Sequence, residues 1–151
     1  MGSRNGIPLD RSAWLHRMEG LGCAIAGACS GQEIYLLRLF LDLAERVPDR
    51  TLLQGMMPPD RRRVEAAISA GALESAALFL MGDDSGFCLS RGADGRPLAS
   101  VLLPYQFEEC TSGGASLGLA CLGALVGALT NDMPQPAAMS QFEVPASTLL
   151  H

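Results

Sequence analysis

Few groups in this chain could do chemistry, and their spacing matters more than their number. Five cysteines stand at Cys23, Cys29, Cys88, Cys110 and Cys121, with two histidines at His16 and His151. A structural zinc site wants such residues paired at short spacing, and no such pair occurs. Reduced, mostly buried thiols in the cytoplasm are therefore the expectation. Cys88 has Arg91 and Arg96 nearby in sequence, which could activate a thiol, but a structural role is the plainer reading. A serine nucleophile would have only His16 or His151 as its base, and neither belongs to a nucleophile elbow. Glu108 and Glu109 are adjacent carboxylates in a polar stretch, where neighbours diverge into solvent. Thr111-Ser112-Gly113-Gly114 lacks the lysine of a phosphate cradle. Arg61-Arg62-Arg63 could hold an anion or an acidic partner, or simply solvate a helix end. The reading is of a non-enzyme, with no catalytic residue, metal or cofactor.

The bulk composition agrees with a folded, partner-seeking domain. At 151 residues, 48% of them hydrophobic and 18% charged, the chain is long and apolar enough for one real core. A net charge of −5 argues against direct binding of nucleic acid by this segment. The longest apolar run, Ala115 to Leu129, is shorter than the roughly 20 residues that span a bilayer, so no membrane role is expected. Gly123 and Gly127 form a G-x-x-x-G pattern that means little outside a spanning helix. The N-terminus lacks the layout of a signal peptide.

The elements that must position any site are unevenly legible. Two apolar runs, Phe87 to Arg91 and Leu98 to Leu103, flank Gly92-Ala93-Asp94-Gly95 and predict a β-hairpin. Asp10 predicts an N-cap for a helix ending near Gly20-Leu21-Gly22. Cys23 to Ala28 and Glu33 to Leu37 read as two short strands around a turn. Leu36, Leu39, Phe40 and Leu43 then give a helix that ends before Pro48. Pro58-Pro59-Asp60 opens another helix, with Val64, Ala67, Ile68 and Leu73 inward and Gly71 as a possible terminator. Ala76 to Met81 is expected to be a strand. Leu117 to Thr130 fits either a buried strand or a buried helix.

This order resembles that of a PAS domain. Met18 to Ile25 looks like an opening strand, Gln32 to Leu43 like a second strand entering a helix, and Pro58 to Ile68 like the long crossing helix. Gly92 to Pro104 and Gly123 to Asp132-Met133-Pro134 look like the closing strands. More narrowly, the arrangement is similar to the sensor halves of proteobacterial LuxR-type transcriptional regulators. The resemblance implies an α+β fold: a PAS-like antiparallel sheet of about five strands, helices across one face, and an N-terminal helix. It also implies an N-terminal helix at 1–17, a PAS-like domain at 18–136 and a tail at 137–151. A flavin photosensor would need a reactive-cysteine loop and a haem sensor a histidine on the crossing helix, and neither is present.

The function expected on this basis is a cytoplasmic sensor or regulatory domain controlling a transcriptional or signalling output through dimer geometry. A homodimer is expected, with a small apolar ligand or a protein partner. The ligand pocket would lie between sheet and helices, lined by Leu39, Leu43, Val64, Phe87, Leu89, Val101 and Leu103. The alternative is a winged helix, with Arg61 to Arg63 on the recognition helix and residues 86–103 as the wing. A third possibility is an assembly subunit using the Gly/Ala-rich segment 113–129 as its interface.

Overall fold

The computed structural model describes Ile7 and residues 9–131. Its order is α1 (Arg11–Ala26), α2 (Glu33–Glu45), a 3-10 turn (Arg50–Leu53), α3 (Arg61–Ser69), α4 (Leu73–Leu80), β1 (Gly86–Arg91), β2 (Pro97–Leu102), β3 (Cys110–Gly113) and α5 (Leu117–Thr130). The class is α+β, but the sheet has three antiparallel strands in the order β1-β2-β3, not about five. The segments expected as the opening strands and the last closing strand of a PAS-like sheet are helical, whereas 92–104 holds a turn and β2 as expected. Residues 18–26 finish α1, and α2 starts at Glu33. Residues 76–80 lie in α4, and 117–130 form α5. The boundary expected at residue 17 falls inside α1, while 132–136 and the tail at 137–151 lie outside the described residues.

Local signals explain the helix starts. The Asp10 carboxylate accepts from the Ala13 amide at 2.8 Å, and the Asp60 carboxylate from the Arg62 amide at 3.0 Å, each taking up an orphan donor. Ser116 does the same for Leu119 at 3.2 Å. Gly71, at φ +76°, makes the left-handed turn that ends α3 and lets α4 begin.

Gly20 and Gly22 do not break α1. A Cβ on Gly22 would sit 3.3 Å from Val126, so this glycine marks where α1 crosses α5 closely rather than where the helix stops. Trp14, Leu15, Met18, Leu21 and Ile25 form the buried stripe of α1. The Trp14 indole N–H donates to the Leu43 carbonyl at 2.7 Å, tying the start of α1 to the end of α2.

The hairpin forms where its turn chemistry places it. Gly86 pairs with Leu102 and Arg91 with Pro97. The Gly92 amide donates to the Arg96 carbonyl at 2.9 Å across a turn containing Gly95 at φ +83°. β3 then pairs with β2, Val101 facing Cys110 and Leu98 facing Gly113.

Helix α5 lies in the middle. It buries residues on every side, including Leu119, Cys121, Leu122, Leu125, Val126 and Leu129, as expected of a helix with no polar stripe. Strands β2 and β3 cover one side, and α1 and α4 cover others, with α2 touching it more lightly. The G-x-x-x-G pair seats the sheet: a Cβ on Gly123 would lie 2.6 Å from Ser112 Oγ, and one on Gly127 2.6 Å from Cys110 Sγ. Side chains at these two positions would push β3 off the helix.

Gly123→Val is expected to destabilise the chain by about 2 kcal/mol, the usual cost of overpacking a close contact. Urea denaturation followed by fluorescence of the single, buried Trp14 reads this directly. An unchanged unfolding midpoint would rule out the close seating of β3 on α5.

Candidate interaction edge

Strand β1 differs from its neighbours. The Gly92-to-Arg96 bond on one side of the ladder and the Gly114-to-Pro97 bond on the other set the alternation. Gly86, Cys88 and Ser90 therefore turn their backbone groups toward β2. Those of Phe87, Leu89 and Arg91 point away from the sheet. Among the described elements β2 is the one substantial neighbour of β1. The outer edge thus presents three residues' worth of unpaired amides and carbonyls.

The side chains make the edge more unusual. Phe87 lies opposite Val101 and Leu89 opposite Ala99, so both face the side of the sheet that packs on α5. But α5 packs mainly beneath β2 and β3, and its first residue, Leu117, only borders the space beside β1. Phe87 is left 51% exposed and Leu89 only part-buried. A groove of about 290 Å³ opens there, lined by Leu89, Ser90, Arg91, Pro97 and Leu117. Edge strands are commonly guarded by central charges, proline or a bulge. β1 has one charge, Arg91 at its last position.

The seven residues expected to line a ligand pocket do not converge. Val64, Val101 and Leu103 are fully buried in the common core. Phe87 and Leu89 belong to the exposed hairpin. Leu39 and Leu43 line a separate groove of about 290 Å³ between α1 and α2, together with Leu21, Ala24, Arg17, Asp42 and Arg46.

The charged groups are largely committed to bracing helices. The Arg61 guanidinium donates to Glu45 and to Asp42, both at 2.6 Å, and Arg38 pairs with Glu65 at 3.0 Å, so two arginines join α2 to α3. Arg63 stacks 4.0 Å over the Phe79 ring and thereby links α3 to α4. Arg62 remains exposed. Glu108 and Glu109 are exposed on the loop between β2 and β3, near the exposed rings of Tyr105 and Phe107. All five cysteines are free, and burial pushes the Cys121 thiol up to about 11 and raises that of Cys110. Among the described residues no His, Cys, Asp and Glu cluster with metal-binding geometry occurs. No helix among them is long and apolar enough to cross a membrane.

Glu33 is the buried carboxylate that sequence reasoning passed over. It stands at the start of α2, where it accepts from the Gly31 amide and meets the Ser116 hydroxyl that caps α5. Burial alone would raise its pKa. Hydrogen bonds from its own amide, from Gly31 and from Ser116 outweigh that and hold it below the ordinary carboxylate value. Its position as the second residue after Gly31 at a helix start was a visible sequence signal, but its meeting with Ser116 was not. It is a joint between two helix starts.

Comparisons with protein-family models, with curated proteins and with solved structures find no match to this chain.

Because folding lowers its pKa, Glu33 stabilises the folded chain above the ordinary carboxylate range, and that contribution is lost as the pH falls through the lower folded value. Urea titrations from about pH 7 to about pH 3 should show Glu33→Gln costing about 1 kcal/mol at neutral pH, with the difference from the parent shrinking in acid. A difference that stays constant across that range would contradict the assignment.

Proposed function

We propose that this chain is a non-catalytic regulatory module of the cytoplasm that accepts an extended strand of its partner along β1. One observation carries the reading: among the described residues β1 has an unpaired outer edge with an uncharged centre, and beside it Phe87 is half-exposed and Leu89 only part-buried. Strand addition satisfies both needs together, because main-chain hydrogen bonds complete the edge and alternate side chains fill the groove beneath it. Free thiols throughout the chain favour a reducing compartment. The homodimer expected from the sequence is one form such an assembly takes. The winged-helix alternative has less support. Arg61 is bound to Asp42 and Glu45, and α4, the helix preceding the hairpin, turns Ala76, Ala77 and Leu80 into the core.

A second reading, ligand sensing, is favoured by the α1–α2 groove. Its floor is Leu21, Leu39 and Leu43, and Arg17 and Arg46 stand on its rim. Asp42 also lines it but is held by Arg61. An amphipathic carboxylate is the chemistry that fits. Decanoate is expected to raise the thermal midpoint of the parent protein and not of Arg17→Ala. The absence of a shift in the parent rejects this reading.

Strand acceptance is tested with a labelled synthetic peptide of residues 84–91 carrying serine in place of its cysteine. Fluorescence anisotropy against dilute protein is expected to give saturable binding that Leu89→Pro abolishes. The Leu89 amide points outward, so this proline removes an edge donor while sparing the ladder to β2. Circular dichroism confirms that the variant is folded. Binding that is undiminished in folded Leu89→Pro, or no binding by the parent protein, rejects the edge as the acceptor.

A further inference from the structure

We propose that the strand added to β1 is β1 of a second copy of this chain, running antiparallel about a two-fold axis through Cys88. This rests on the strand-acceptor reading above and names its partner. The result is one continuous six-stranded sheet, β3-β2-β1 meeting β1-β2-β3.

Three features of the edge select that partner and that register. The outward backbone groups of Phe87, Leu89 and Arg91 require that like-facing residues pair, so the axis falls on a residue of β1 and not between arbitrary positions. With the axis at Cys88, each Phe87 meets the other copy's Leu89, and each Arg91 meets the other copy's Ser85, beside Asp83 and Asp84. Apolar pairs with apolar, and the one cation of β1 reaches the exposed Asp84, with Asp83 beside it 3.8 Å from Arg63 of its own chain. Moving the axis by one residue to Leu89 sets Arg91 opposite Phe87 and leaves the two aspartates without it. Moving the axis the other way, to Phe87, keeps Arg91 beside the aspartates but sets Leu89 opposite Ser85, so the axis at Cys88 is the one of the three that serves both the apolar pair and the charges.

The same arrangement closes the space left beneath the sheet. Each α5 supports β2 and β3 of its own copy, so the two adjoining β1 strands span the gap between two helices. Two Phe87 and two Leu89 side chains line that span, which is where each copy alone leaves Phe87 half-exposed and Leu89 part-buried. An isologous contact is self-limiting: both edges are used up, and the assembly stops at two. The opposite edge is shorter, four residues in β3 ending in glycine.

Cys88 reports on the register. It is exposed, on the face away from α5, and lies opposite its own copy as a non-hydrogen-bonded pair with Cα atoms about 4.5 Å apart. Diamide, which takes up the two thiol hydrogens as the disulfide forms, should therefore link the two Cys88 side chains.

Light scattering after size exclusion is expected to give twice the 15.9 kDa chain mass for the parent. Diamide should yield a covalent dimer that Cys88→Ser abolishes even though Cys23 and Cys29 remain exposed. Arg91→Asp and Asp84→Arg should each weaken the dimer on the order of tenfold, and their combination should restore it. A merely structural role for either residue would not produce that rescue. A parent protein that is monomeric at all concentrations overturns the proposal, and if the 84–91 peptide still binds, the acceptor edge survives without the self-pairing. A dimer whose cross-link is unaffected by Cys88→Ser, or whose charge variants are not rescued by their combination, overturns the register.

Discussion

A helix with no polar face has to be surrounded, and α5 is that helix. Leu119, Leu122, Leu125 and Leu129 together with Ala120, Ala124 and Ala128 leave no side that tolerates water. Fully burying a leucine side chain is worth about 1.5 to 3 kcal/mol, so exposing any side of α5 would be costly. The remaining elements are disposed to prevent it. α1, α4 and part of α2 form a helical layer on one side, and β2 and β3 form a sheet layer on the other. Gly22, Gly123 and Gly127 stand where α5 packs closely on α1 and β3, which turns an otherwise unfavourable glycine content into a packing device.

That arrangement also explains the exposed edge. One helix lies under about two strands, and the hairpin brings a third that α5 cannot cover. β1 is held firmly to β2 by turn chemistry and a complete register, yet it projects past its support. A rigid strand with an unused edge is a better acceptor than a loop, because little conformational freedom is lost when a partner strand arrives. The interaction reading therefore follows from the same geometric mismatch that the core creates.

The polar groups fit this division of labour. Glu33 joins the starts of α2 and α5, Arg61 and Arg38 join α2 to α3, and Arg63 lies on Phe79. These are joints among helices. The arginine triplet that could have been an anion-binding or nucleic-acid-binding cluster is divided among separate contacts. Arg62 and Arg63 are both exposed to solvent, Arg63 over the Phe79 ring.

The sequence by itself determined what short-range chemistry controls: the hairpin with its Asp94-Gly95 turn, the caps at Asp10 and Asp60, the stop at Gly71, and the α+β class. Between 18 and 37 it favoured strands, and between 117 and 130 it left helix and strand open, because small and apolar residues satisfy either period in a fully buried element. Only the tertiary structure resolved these, since a helix at 117–130 satisfies its own backbone hydrogen bonds while buried on all sides, whereas a lone strand there would need neighbours on both edges. The same applies to the candidate site. Phe87 and Leu89 were legible as one face of a strand. That this face overhangs, and that Leu39, Val64 and Val101 belong to other places, depends on which strands α5 reaches.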